Sequence, residues 1–167
     1  AKNKNTAAVT TTEIVELEGA LSVDAASNVA YTSTADGSAV VPVEENETVG
    51  TSVGVAAVVQ VVDAQTLATL GGGSVTAGSV DVSATSGSEE KAGGSSAKAQ
   101  AGFSAGEFGL GGAIAVNVYT TNTGAYVEAA QLQVSGDISI NATDYSDSYT
   151  EANASCEHEQ SALEDKN

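Results

Sequence analysis

One phrase written three times constrains this chain more than any other feature. "LEGALSVDAAS" starts at Leu17, "TAGSVDVSATS" at Thr76 and "VSGDISINATD" at Val134. Gly19, Gly78 and Gly136 hold the same place in each copy, 59 and then 58 residues apart. After each glycine, apolar and polar residues alternate. The apolar places are Leu21/Val80/Ile138, Val23/Val82/Ile140 and Ala25/Ala84/Ala142. Between them lie Ser22/Asp81/Ser139 and Asp24/Ser83/Asn141. A period of two is that of a strand with one buried and one wet face.

Two further phrases keep the same period. "NTAAV" at Asn5, "QTLAT" at Gln65 and "NTGAY" at Asn122 align Thr6/Thr66/Thr123 and Ala8/Ala68/Ala125. Their first and third copies lie 117 residues apart, as do Gly19 and Gly136. "GVAAVVQVVDAQT" at Gly54 and "GGAIAVNVYTTNT" at Gly111 match Val59/Val116, Gln60/Asn117 and Val61/Val118, and this dense run of β-formers reads as the best-buried strand. The polar stretches 86–109 and 146–167 alternate small residues, Ala97/Ala99/Ala101 and Ala152/Ala154/Cys156. They read as strands packed on tiny side chains, against the competing reading of flexible Gly/Ser loops. Residues 28–50 resemble neither.

Units of this length, poor in large apolar groups, bury their faces by stacking on one another. Only 4% of the chain is aromatic, with no Trp or Met, so the interior is narrow and filled by Ala, Val, Leu and Ile. One Pro, Pro42, leaves backbone ladders uninterrupted. The expected fold is therefore all-β: a single parallel β-helix (β-solenoid) domain over 1–167, with repeat units 1–53, 54–110 and 111–167. Each unit has room for two turns of the solenoid. The competing fold, a pair of β-sandwiches, would carry a period nearer ~100 residues and a buried aromatic.

The stretches 54–86 and 111–144, and much of 5–27, resemble the repeat region of very large bacterial surface proteins of the autotransporter-adhesin and filamentous-haemagglutinin-like kind. Those proteins repeat a strand like "AVNVV", a turn with Thr, a strand like "AYV" and a Gly-Asp strand ending in "AT". The resemblance implies a secreted, β-helical, cell-surface stalk with structural or adhesive roles. Residues 28–50 depart from that pattern.

Charge and composition narrow the chemistry. A net charge of −17 repels phosphate backbones and anionic lipid, which excludes nucleic acid as a partner. No apolar run reaches the roughly 18 residues of a membrane helix. A lone Cys156, two residues from a lone His158, cannot complete a zinc site. The chain contains no Arg, no nucleophile elbow and no phosphate-binding glycine loop with lysine. Catalytic residues are therefore expected to be none. Calcium is the one cofactor suggested, with Glu47, Glu107, Glu164, Asp144 and Asp147 as candidate ligands, against the reading of a solvated acidic face. Tyr119, Tyr126, Tyr145 and Tyr149 crowd the last unit and are candidate contacts for a sugar or protein partner.

The expected function is a non-catalytic structural or adhesive segment of an extracellular bacterial surface protein, binding protein or glycan ligands weakly and multivalently. The opening "AKNKN" carries no signal-peptide pattern, so it reads as trimmed or cut from something longer. The alternative is a subunit stacking end to end into an extracellular filament. A glycan-degrading β-helix is a third reading.

Overall fold

A computed structural model describes residues 1–40, 51–104 and 108–157. The described residues contain strands and no helix. The first repeat supplies β1 (Lys2–Thr11), β2 (Val15–Glu16), β3 (Ala20–Ser27), β4 (Ala30–Asp36) and β5 (Ala39–Val40). The second supplies β6 (Thr51–Ala77), β7 (Ser79–Ser86) and β8 (Gly93–Ser104). The third supplies β9 (Phe108–Val134), β10 (Ile138–Asp144) and β11 (Ser146–Glu157). β6 and β9 each start three residues before Gly54 and Gly111.

Three sheets result, and each takes its strands from all three repeats. β6 pairs with β1, β2 and β9; β7 lies between β3 and β10; β8 pairs with β4, β5 and β11. Ladders β1–β6, β2–β6, β3–β7, β7–β10 and β5–β8 are parallel. The expectation of two turns per repeat is corrected by this topology: each repeat passes through each sheet once. Residues 28–40, which match neither other unit in sequence, still supply β4 and β5 to the sheet of β8.

Register follows the glycine-anchored phrase residue for residue. Leu21 and Ile138 both pair with Val80, Val23 and Ile140 with Val82, and Ala25 and Ala142 with Ala84. The earlier phrase is out by one. Ala7, not Ala8, pairs with Ala68, and Thr6 pairs with Leu67. Asn5, Ala7 and Val9 lie on the half-buried side of β1, opposite buried Thr66, Ala68 and Leu70. Burial sets the phase: an alignment of Ala8 with Ala68 would put opposite faces side by side.

The chain gathers into two compact units, each drawn from all three repeats. The larger holds 1–31, 61–95 and 118–148. Its core is Val23, Ala25, Ala68, Leu70, Val75, Ala77, Val80, Val82 and Ala84, flanked by residues of β1 and β9. The smaller holds 32–60, 96–117 and 149–167. Its core is Ala56, Val58, Ala97, Ala99 and Ala101, with Ala35, Ala113 and Ala115 against it. The alanine strand read from stretch 86–109 is therefore real and buried. Ala152 and Ala154 also lie in a strand, but exposed. An alanine core gains only about 0.8 kcal/mol per buried methyl-sized group, so backbone ladders supply a larger share of cohesion here.

Candidate interaction surface

In the smaller unit, β6 and β9 turn apolar rows outward. Val53, Val55 and Val59 on β6, and Leu110, Ile114 and Val116 on β9, are 42–68% exposed. The opposite parity, Ala56 and Val58, faces the core. The valine run is thus not buried throughout as the sequence suggested: Val53, Val55, Val59 and Val61 stand in solvent, and Val58 and Val62 are buried. Both rows are apolar, so the period-two signal that identifies the wet face is absent. Neither 51–60 nor 108–117 contains a charged residue, in a chain of net charge −17. A charge-free, β-branched outer face is the kind of surface that takes part in contacts.

The smaller unit also holds an exposed polar group. Lys98 Nζ lies 3.5 Å from Glu151 Oε2 and 5.1 Å from the centre of the Tyr149 ring. The Tyr149 hydroxyl donates to the same carboxylate at 2.9 Å. That hydrogen bond, with the Glu151 charge behind it, pushes the Tyr149 phenol up from 10.0, and Lys98 pulls slightly the other way. Asn117 Nδ2 donates to the Tyr149 carbonyl at 3.2 Å. Three side chains on two paired strands, β8 and β11, therefore hold one another in place.

In the larger unit, the outward residues of β3, β7 and β10 make a polar ladder. Asp24 accepts from Ser22 and from Ser83 on the neighbouring strand. These bonds, Ser22 first, hold its carboxyl below the ordinary 3.8. Asp36, in the smaller unit, is likewise lowered by Ser38, first through the side-chain hydrogen bond of Ser38 and then through its backbone N–H, which donates to Asp36 at 3.0 Å.

The sequence-predicted tyrosines do not converge. Tyr149 belongs to the Lys98–Glu151 group. Tyr145 donates to Glu89 Oε1 at 3.4 Å. Tyr126 is 44% exposed, yet its ring lies back over Gly124, where a Cβ would collide with it. Tyr119 is half-buried on the same strand parity as Ala125 and Val127, which pack on the core. Of the calcium candidates, Asp144 accepts from Ser146, and Asp147 from the Ser148 N–H at 2.8 Å. Glu47, Glu107 and Glu164 lie outside the described residues, as do His158 and the Cys156 side chain. Among the described residues no three metal-ligating side chains gather.

A cleft of about 500 Å³ opens where the chain approaches the three glycines, lined by Leu17, Glu18, Thr76, Gly78, Gln133 and Ser135 among others. Glu18 is its charged lining residue, with the polar Thr76, Gln133 and Ser135 beside it. Beside it, the third repeat leaves part of its apolar row open. Ile138 and Ile140 are 52% and 48% exposed, where Val80 and Val82 in the same register are 2% and 0%. No protein-family model, curated protein or solved structure matches this chain.

Proposed function

We propose that this chain is a non-catalytic, structural and adhesive β-solenoid segment of an extracellular bacterial surface protein. The observation that carries the reading is the register: three repeats contribute strand for strand to each sheet, and equivalent residues fall side by side. Such stacking makes a ribbed face on which outward side chains recur at the strand spacing of about 4.8 Å. Repeated weak contacts along that face would sum to useful adhesion only when many copies engage together.

Bead adhesion tests this. Beads coated with the chain should be retained by at least one member of a panel of extracellular-matrix proteins and cell-surface glycans. The soluble chain should show only weak binding to the same member. Retention of no bead on any member, or release of sugar products from the glycans, would overturn the reading.

A further inference from the structure

We infer that the outward face of β6 and β9 in the smaller unit packs face to face on the same face of a second copy of this chain. The inference goes beyond the adhesive reading and does not depend on it. It concerns residues 51–60 and 108–117 alone.

A glycine points to a close neighbour. Gly112 stands on the outward parity of β9, between exposed Leu110 and Ile114. A Cβ there would meet nothing within 4 Å, and Gly112 is not a positive-φ glycine. Gly54, on the inward parity of β6, is different: a Cβ there would collide with the Gly102 carbonyl oxygen. Packing within the chain therefore demands glycine at 54 and not at 112. Glycine inside a strand weakens it, and its use there often marks the close approach of another surface.

Shape says which surface. Aligning Gly54 with Gly111 sets Val55 beside Gly112 and Ala57 beside Ile114. The same alignment sets Ala56 and Val58 beside Ala113 and Ala115, which pack on their core. Each strand of the face thus has one raised residue and one hollow, in opposite order. β6 reads Val55 then Ala57, and β9 reads Gly112 then Ile114. A two-fold axis along the strands lays β6 of one copy over β9 of the other. Val55 then enters the hollow at Gly112, and Ile114 the hollow at Ala57, twice over in each pair. A patch that fits itself in this way is what a two-fold contact requires.

Charge selects the same occupant. The chain carries a net charge of −17, so two copies repel wherever their acidic surfaces meet. Residues 51–60 and 108–117 hold no charge, so here apolar side chains are buried without desolvating an ion. A basic partner would be drawn to the acidic surfaces instead. A further repeat of the same chain would stack on a strand edge, which widens this face and leaves it uncovered. The face is about 33 Å long and about 10 Å wide. That is less than the roughly 800 Å² per partner of a standard interface, so one pair of chains binds weakly and reversibly.

Sedimentation at physiological salt tests this. The chain should form a reversible dimer between micromolar and millimolar concentration. Gly112→Ala should weaken the dimer about tenfold or more, because the added methyl meets Val55 of the other copy. Its unfolding stability should not fall, because in a single chain that methyl meets open space. Val55→Ala should also weaken the dimer, by leaving the hollow unfilled. An equimolar mixture of the two variants should associate more tightly than either alone. In the mixed pair the shortened side chain at 55 faces the added methyl at 112, and the other contact is the parental one. Val59→Lys should abolish the dimer without changing the circular dichroism of the chain.

A chain that stays monomeric at millimolar concentration overturns the proposal and gives the face to another partner or to another part of a longer chain. Association that survives Val59→Lys lies elsewhere on the molecule and overturns it too. A mixture no tighter than its two components overturns the self-fitting contact. None of these outcomes bears on bead retention, so the adhesive reading is judged separately.

Discussion

Gly78 and Gly136 are fixed by what lies beside them. A Cβ on Gly78 would sit 3.0 Å from the Glu18 carbonyl oxygen and 3.1 Å from that of Gly19, and one on Gly136 would sit 2.7 Å from the Gly78 oxygen. A Cβ on Gly19 would meet nothing within 4 Å. The positive-φ glycines among the described residues are Gly72 and Gly87, at 98° and 74°, and neither belongs to the phrase. Close stacking, and not φ, accounts for the glycine of the phrase in its second and third copies. Gly136→Ala should therefore lower the unfolding free energy by roughly 1–2 kcal/mol, since backbone has to move to admit the methyl. Gly19→Ala should be neutral or stabilise by up to about 1 kcal/mol through the unfolded chain. Urea titration of the two variants at a concentration where the chain is monomeric separates them. Equal losses at both positions would refute the stacking explanation.

For the strands, legibility depended on whether the two faces differ in kind. In β3, β7 and β10 the inward residues are apolar and the outward ones polar, so sequence alone aligned Leu21, Val80 and Ile138 correctly. In β1, Thr6, Ala7 and Ala8 are small residues that suit either face, and matching by identity chose the wrong phase by one. In β6 the two rows of valine and alanine are both apolar, and the wet face went unseen. The exposure of Ile138 was not readable either, because it depends on a neighbour and not on the residue itself. Of the candidate site, the acidic and tyrosine residues were visible as types, but their partners, such as Lys98 for Glu151, come from a strand more than fifty residues away. The β1 register makes a sharp test. Ala7 is half-buried against the core and Ala8 is exposed. Ala7→Asp should destabilise by about 2 kcal/mol or more, because a carboxylate there loses water without gaining a partner. Ala8→Asp should stay within about 0.5 kcal/mol of the parent. Thermal melts of the pair decide the phase, and the reverse order would restore the alignment of Ala8 with Ala68.

Over the whole molecule, charge opposes the fold that packing favours. The chain sets 22 carboxylates against five lysines, with a pI near 4.1. At pH 7 the folded state concentrates this charge and repels itself. Raising salt from about 0.01 M to 0.15 M shortens the screening length from about 30 Å to about 8 Å, which weakens repulsion between distant carboxylates far more than the 3.5 Å pair of Lys98 and Glu151. The melting temperature at pH 7 should therefore rise by several degrees over that range. Near pH 4.1 the net charge vanishes, and the same salt change should have little effect. Acid then acts through different groups. Asp24 and Asp36 have folded pKa values below 3.8, so what they contribute is present above the unfolded pKa and is lost as pH falls through the folded one. Stability should accordingly drop below about pH 4 even in 0.15 M salt, where screening has already removed most of the repulsion. Melting curves over a grid of pH and salt separate the two regimes. A melting temperature that falls with salt at pH 7 would mean that attractive ion pairs, and not self-repulsion, dominate the electrostatics of this chain.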